Sequence, residues 1–363
     1  MSSNTLKGLQ ALRGLAALSV MFFHFRWNIN DVWPGTGDKL FGWGATGVDL
    51  FFLISGFVIT LTAKKSTPDF KGTLNFLKRR ALRILPAYYI IFLITFFLSG
   101  AMSVFHYPDK TANFISALFF RPIYPDQGPF YVDDSGMFGI RWTLNYELYF
   151  YVALGILMMA PFRWLSTCLF FAVTLIGVPL LTGKGISLSV EGYPTESAFF
   201  GLITNPMIFL FLAGMLVGHA GPVLKRINGA VMSVLLICSL VLACILFQDG
   251  RFANHGLLNS GWIYLLIMVF AIGAEKTIGK FIPAFLVRLG DISFSLYLIH
   301  TLMNTGIGKR LEALGIETGL ERFLTSCLLS LVLAWLSWRF IESPFLAKKN
   351  RIAQKSESAD PIA

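Results

Sequence analysis

Long apolar runs, each about the length of a membrane-spanning helix, alternate with short polar connections along the chain. A bilayer core of about 30 Å requires about 20 mostly apolar residues per helix. Because the backbone must satisfy its own hydrogen bonds inside lipid, the runs predict helices, and none shows the alternation typical of a membrane barrel. Ten runs fit this pattern: 8–27, 44–63, 83–103, 139–160, 163–182, 199–219, 229–247, 257–274, 289–309 and 323–346.

The composition supports an all-α fold, a polytopic membrane bundle of about ten transmembrane helices. Of the 363 residues, 55% are hydrophobic and 14% are charged, whereas soluble domains carry about 25% charged residues. This balance excludes a disordered chain and an ordinary soluble enzyme. We expect residues 1–346 to form one transmembrane domain and residues 347–363 a short cytoplasmic tail. The four cysteines lie in apolar runs, so we expect neither disulfides nor a metal site.

The distribution of Lys and Arg gives the orientation of the bundle. Ten spans place both chain ends on one side of the membrane. If that side is the cytoplasm, 18 of the 30 Lys and Arg residues lie in inner segments and 10 in outer segments, as the positive-inside rule requires. The net charge of +10 therefore reflects orientation, and we expect no nucleic-acid partner. We predict N-in, C-in topology in a bacterial cytoplasmic membrane.

Ionisable residues inside apolar runs mark candidate sites, because a charge in lipid is costly. Arg13 and His24 lie 11 residues apart in the first run, which is about 16 Å along a helix and about 20° from the same face. We expect both to face one interior path at different depths. Plainer interpretations remain open: a structural partner for Arg13 and a packing role for His24.

Two carboxylates approach the depth of His24 from the outer side in this topology. Asp49 begins the second span, and Glu147 lies in the fourth. We expect one of them to support the His24 imidazole as a general base. A helix cap is the alternative for Asp49, and an ion pair with Arg141 or with a residue of another span is the alternative for Glu147.

A basic block lies on the inner side, before and within the third span. It contains Arg79 and Arg83, four residues apart on one helical face, with Arg80 beside them. This arrangement suits bidentate binding of a polyphosphate. Anchoring at anionic lipid headgroups is the alternative. The chain has no glycine fingerprint for nucleotides, so these arginines would hold any bound nucleotide.

Polar residues also follow one face of the ninth span. Ser293, Tyr297 and His300 recur at a spacing of three to four residues, which places them on the same side of a helix. Substrate binding and hydrogen bonding between helices both fit this stripe.

In their order along the chain, these segments resemble the acyltransferase-3 family of integral membrane acyltransferases. The resemblance covers nearly the whole chain, and it is carried by the ordered set of motifs. The segments are Arg13-x10-His24, 48–57, Arg79-Arg80-x-x-Arg83-Ile84-x-Pro86, Trp142-Thr143-Leu144-x-x-Glu147-x-x-Phe150-Tyr151, 293–300 and Arg339-x-x-Glu342-x-Pro344.

The resemblance implies a ten-span protein that moves an acyl group, usually acetyl, from cytoplasmic acyl-CoA to a hydroxyl of an extracytoplasmic or membrane-linked carbohydrate. It implies acyl-CoA as a co-substrate and no tightly bound cofactor. Within the family's motifs, His24 matches the essential histidine and Arg13 its paired arginine. Arg79, Arg80 and Arg83 match the basic motif that we place against the CoA phosphates.

The resemblance also makes Glu147 the acid of the fourth-span motif, whereas support of His24 by Asp49 is our inference from the residues alone. The acceptor glycan is expected against the aromatic outer loop 104–138, and O-antigen and exopolysaccharide are among the glycans left open. Three residues are the candidates for contacting it: Trp142, Tyr297 and His300.

Two other classes of function fit ten spans with buried charges. A transporter or flippase of a lipid-linked sugar predicts interrupted helices in matching halves of the chain, a pattern that this sequence lacks. A sensor or assembly factor would use the same polar residues without catalysis. The ordered motifs favour acyl transfer over both.

Overall fold

The computed structural model describes residues 6–99, 101–250 and 254–346, and within these ranges the chain forms helices and no strand. The predicted tail lies outside the described residues. The long helices are α1 Lys7–Asn30, α2 Gly47–Lys64, α3 Phe70–Leu98, α4 Arg141–Leu157, α5 Arg163–Leu181, α6 Ile208–Leu224, α7 Gly229–Gln248, α8 Trp262–Ile278, α9 Ala284–Ile299 and α10 Gly319–Ser337. Shorter helices span Thr36–Phe41, Ala101–Val104, Pro108–Phe119, Ala198–Thr204 and Gly306–Ala313.

In the described part of the chain, nine helical stretches are long and apolar enough to cross a membrane. They correspond to nine of the ten predicted spans and confirm a polytopic helical membrane protein. The predicted fourth span forms α4, whose 17 residues extend about 25 Å. Residues 141–146 of this helix are all buried, so its first turns lie inside the protein and need no lipid-facing apolar surface.

Helix α3 begins earlier than the apolar pattern predicted. The Asp69 carboxylate accepts a hydrogen bond of 2.5 Å from the Gly72 backbone N–H and caps the helix. This bond and a second from Thr67 hold the pKa of the Asp69 carboxyl below its usual value. The first turns of α3 are polar and therefore do not appear as part of an apolar run, because a solvent-exposed helix face does not need apolar residues. The three arginines of the basic block therefore lie on the helix, which fixes their directions.

Glycines let α1 and α9 pack closely. A Cβ at Gly14 would lie 2.8 Å from the Gly290 nitrogen, and a Cβ at Gly290 would lie 2.0 Å from the Gln10 carbonyl oxygen. Small residues at such crossings let two backbones approach each other. The close crossing places Arg13 of α1 beside Ser293 of α9.

The crossing of α2 and α6 is built in the same way. A Cβ at Gly56 would lie 2.1 Å from the Phe211 carbonyl oxygen, and a Cβ at Gly214 would lie 2.0 Å from the Leu53 carbonyl oxygen. Both contacts are with backbone atoms, which cannot rotate away. The two helices therefore have no room for a side chain at their contact.

Gly214→Ala is expected to destabilise the protein by about 1–3 kcal/mol, because the added methyl group forces α2 and α6 apart. The matched control is Gly221→Ala on the same helix, where a Cβ would meet only the Phe57 ring, at 3.9 Å. The measurement is the melting temperature of the detergent-solubilised protein, followed by size-exclusion chromatography after heating. Equal melting temperatures for the two variants would contradict this packing.

Candidate functional site

Two cavities between the helices are lined by many of the predicted site residues. The first, which we call the arginine cavity, has a volume of about 130 Å³, and its polar lining consists of Arg13, Ser55, Arg80, Arg83, Thr143, Glu147, Tyr151 and Ser293. The second, the histidine cavity, has a volume of about 470 Å³, and its lining includes His24, Asp134, Trp142, Ser189, Glu191, Asn254, His255 and Asn259. Val48 and Tyr297 line both cavities. The predicted interior path is therefore two chambers that meet at these two residues.

Arg13 and His24 were expected to face one interior path at different depths, whereas the structure places them in different chambers. Arg13 lines the arginine cavity, where its guanidinium donates to Gln10 Oε1 at 3.1 Å and to Ser293 Oγ at 3.1 Å. Gln10 in turn donates to Asp291 Oδ1 at 2.7 Å. These oxygens hold the guanidinium in place.

The structure separates the three arginines of the basic block. Arg80 is buried and donates to Thr62 Oγ1 at 2.5 Å, and both Arg80 and Arg83 line the arginine cavity. Arg79 donates instead to Ser66 Oγ at 3.0 Å and lines neither cavity. The cluster of guanidinium groups in the cavity is thus Arg13, Arg80 and Arg83, without Arg79.

Glu147 lies in the arginine cavity and not beside His24. Its Oε1 accepts a hydrogen bond from Ser55 Oγ at 3.0 Å and another from the Tyr151 hydroxyl. Glu147 comes five residues after Trp142, about 7.5 Å further along α4, so Trp142 reaches the histidine cavity while Glu147 reaches the other chamber. The expected approach of Glu147 to His24 is therefore not observed.

The alternative ion pair between Glu147 and Arg141 is not formed either. The Arg141 side chain is completely buried and donates to the carbonyl oxygens of Met137 and Phe138, both at 3.2 Å. It also donates to Asn113 Oδ1 at 2.9 Å and to Ser116 Oγ at 3.1 Å. Arg141 thus fastens the segment before α4 to the helix Pro108–Phe119.

His24 and His300 lie side by side, with ring centroids 5.0 Å apart. His300 is completely buried, its Nδ1 is 3.2 Å from the Leu296 carbonyl oxygen, and it lines neither cavity. No open space lies beside His300 in which it could contact the acceptor as predicted. His300 instead packs behind His24 and also against Tyr297, at a centroid distance of 5.8 Å.

Tyr297 and Trp142, the other two candidates for contacting the acceptor, both line open space. The Tyr297 hydroxyl lies 3.0 Å from Thr143 Oγ1 and 3.2 Å from the Ile140 carbonyl oxygen, which holds its ring between the chambers. Trp142 lines the histidine cavity, with its ring 5.0 Å from that of Phe130.

Asp49 contacts a different histidine from the one expected. One carboxylate oxygen lies 2.7 Å from His255 Nδ1, and the other accepts hydrogen bonds from the Gly256 backbone N–H at 2.7 Å and from the Ser260 hydroxyl. Asp49 is completely buried and uses both oxygens in these bonds. The expected pair of Asp49 with His24 is therefore wrong, and the partner is His255.

His255 is the functional candidate that sequence reasoning missed. A signal was present: a buried Asp at the start of one span needs a partner, and His255 directly precedes the eighth predicted span at the same end of the bundle. The positive φ of Gly256, 110°, turns the chain so that its N–H points at Asp49.

Two connecting segments cover the histidine cavity. The Tyr146 hydroxyl donates to the Pro129 carbonyl oxygen at 2.8 Å, and Asn205 donates to the Val190 carbonyl oxygen at 2.8 Å and to the Tyr131 hydroxyl at 3.1 Å. Burial raises the pKa of Tyr131, which keeps the phenol neutral. Pro129 and Val190 both line the cavity, so these bonds fix its walls.

The chain is a polytopic helical membrane bundle with buried charged side chains and cavities between its helices. Residues 6–339 match the family model of the acyltransferase domain of the acyltransferase-3 type. The chain belongs to this family, and it is an integral membrane acyltransferase.

Relatives of known designation are similar over most of this chain. The exopolysaccharide production protein ExoZ of Rhizobium meliloti is 26% identical over 84% of this chain and 90% of its own. The nodulation protein 10 of Rhizobium leguminosarum bv. viciae is 26% identical over 98% and 97%. The peptidoglycan O-acetyltransferase OatA of Listeria monocytogenes is 24% identical over 93% of this chain and 55% of its own. No solved structure gives a significant match.

Proposed function

We propose that this protein transfers an acyl group from acyl-CoA to a carbohydrate hydroxyl, and that the acyl group is acetyl. The donor binds on the cytoplasmic side of the bacterial inner membrane, and the acceptor is a glycan on the outer side or linked to the membrane. The observation that carries the proposal is the pair of chambers with different charge that meet at Tyr297. The designations of the relatives, which name an exopolysaccharide and peptidoglycan, support a carbohydrate acceptor.

The arginine cavity suits the charged donor. Three guanidinium groups and one carboxylate line it, so its charge is complementary to phosphate groups. In the N-in topology, this cavity lies toward the cytoplasm, because Arg13 follows the start of α1 by six residues. Its volume of about 130 Å³ is below the about 300–1,000 Å³ of pockets for drug-sized ligands. Only part of the donor, a phosphate or the pantetheine arm, therefore enters it.

The histidine cavity suits an uncharged acceptor. Its volume of about 470 Å³ is within the range of small-molecule pockets. Among the described residues, its lining contains no Lys or Arg, and it offers the Trp142 ring together with Asp134 and Glu191. Aromatic faces pack against sugar rings, and carboxylates accept hydrogen bonds from hydroxyl groups. This chemistry matches a neutral sugar better than an anionic one.

The reaction joins the contents of the two chambers. The acceptor hydroxyl oxygen attacks the thioester carbonyl carbon, a C–O bond forms, and the C–S bond breaks to release the CoA thiolate. The hydroxyl proton passes to a base and then to the thiolate, which leaves as a thiol. The step needs a base and hydrogen-bond donors for the oxyanion. We propose that His24, which shares the histidine cavity with Tyr297, contacts the reacting centre.

Incubation of membranes with radiolabelled acetyl-CoA tests this function. Membranes from cells that contain the protein are expected to incorporate label into a glycan fraction, and membranes from cells without it are not. Mass spectrometry of surface glycans from the same cells is expected to show a shift of one acetyl group. Equal labelling of both membranes would contradict acyl transfer and favour a transporter or flippase.

A further inference from the structure

The histidine cavity contains a second imidazole, and this one is paired with a carboxylate. His255 lines the cavity and is 13% exposed, and Asp49 beneath it is fully buried. The Nδ1 of His255 lies 2.7 Å from Asp49 Oδ1. The reaction described above does not use this pair.

The contacts of Asp49 fix the orientation of the His255 ring. The carboxylate accepts hydrogen bonds from the Gly256 N–H and the Ser260 hydroxyl, so it cannot turn away from the imidazole. An acceptor-only carboxylate next to Nδ1 requires the proton on that nitrogen. The Nε2 of His255 is then left as a hydrogen-bond acceptor, and a carboxylate behind an imidazole stabilises the imidazolium that forms when Nε2 takes a proton.

His24 lacks this arrangement. The two carboxylates that were expected to support it, Asp49 and Glu147, are engaged elsewhere. Its ring lies 5.0 Å from that of His300, and a second positive charge at this distance in a buried site would be unfavourable. His24 is therefore poorly placed to become an imidazolium, whereas His255 is well placed.

We propose that His255 is a second catalytic histidine and the general base of the reaction, with Asp49 as its positioning residue. The acceptor hydroxyl binds in the histidine cavity and gives its proton to His255 Nε2 as its oxygen attacks the thioester carbon. The proton then passes to the departing thiolate, which returns the imidazole to its neutral form. His24 contacts the reacting centre from α1. This assignment rests on the proposed acyl transfer and names the group that takes the proton.

The groups that face His255 set the pH dependence of the step. Asp49 contacts its Nδ1, Trp142 packs against its ring at 5.7 Å, and His24, Asp134 and Glu191 line the same cavity. Asp49 is the carboxylate in direct contact, so its removal is expected to change the pH profile most.

The first test compares His255→Gln with His219→Gln, a control whose ring packs on Trp164 away from both cavities. Transfer of label from acetyl-CoA to glycan in membranes is expected to fall about 10²–10⁴-fold for His255→Gln and to stay unchanged for the control. Binding of acetyl-CoA to the purified proteins is expected to be equal. Retention of transfer within about threefold by a properly inserted His255→Gln variant would overturn the assignment.

A second test separates catalysis from folding. Asp49→Asn is expected to shift the acidic limb of the pH–activity profile to lower pH, because the imidazolium loses its stabilising negative charge. Added imidazole is expected to restore part of the transfer by His255→Ala, since the vacated site admits a free base. An unshifted limb, or the absence of rescue in a folded protein, overturns the assignment. If the wild-type protein transfers no label, the proposed function fails instead.

Discussion

Replacement of His24 by glutamine is expected to reduce acyl transfer about 10³-fold, the scale of losing a catalytic histidine or an oxyanion donor. The physical reason is its position: its ring lines the histidine cavity, while His300 behind it contacts both His24 and Tyr297, the residue between the chambers. Glutamine keeps a polar side chain but has no imidazole. The measurement is transfer of label from acetyl-CoA to glycan in membranes that contain equal amounts of each variant.

The matched control for His24 is His106→Gln, which changes an exposed histidine of a connecting segment. This variant is expected to retain full activity, because the side chain lines neither cavity. Binding of acetyl-CoA is expected to be the same in both variants, since the donor's charged groups bind at the arginine cavity. If His24→Gln kept more than a tenth of the wild-type rate, a packing role for His24 would be the better interpretation.

Arg83→Gln is expected to raise the KM for acyl-CoA about 10–100-fold, the scale of one lost charge-assisted hydrogen bond. Arg83 lines the arginine cavity together with Arg13 and Arg80. Arg80 already donates to Thr62, and Arg13 to Ser293. The measurement is the dependence of the transfer rate on acyl-CoA concentration, and we expect a small change in kcat.

Arg79→Gln is the control within the same basic block. Arg79 donates to Ser66 and lines neither cavity, so its replacement is expected to change the KM less than threefold. The pair of variants also tests the lipid-anchor interpretation, under which both arginines bind headgroups. Equal effects of the two substitutions on the KM would favour that interpretation and contradict a donor site in the cavity.

The positions of the spans could be read from the sequence because the bilayer imposes one simple requirement, a long apolar run for each helix. The start of α3 could not be predicted in this way, because the helix is capped by Asp69 and its first turns are polar. The helix begins at Phe70, whereas the apolar pattern placed the start of the span at residue 83. The short length of the fourth span could not be predicted either. Its first residues are buried inside the protein, so they do not need to contact lipid.

The candidate site residues could also be predicted from the sequence, but their hydrogen-bond partners could not. A charged or polar group in an apolar run is expensive unless something satisfies it, so Arg13, Asp49 and Glu147 stood out. Which group satisfies each one depends on how the helices cross. Asp49 and His255 are 206 residues apart in the chain, and no local pattern connects two positions at that separation.

The sequence alone determined that this protein crosses a membrane many times, that it carries the motifs of a membrane acyltransferase, and which buried groups need explanation. These properties follow from the hydropathy and from the order of residue types along the chain, and neither depends on the tertiary structure. Only the tertiary structure decided that Arg13 and His24 line different cavities and that the carboxylate of Asp49 belongs to His255. Hydrogen bonds have a range of about 3 Å, so a partner is defined only after the helix crossings have placed the side chains.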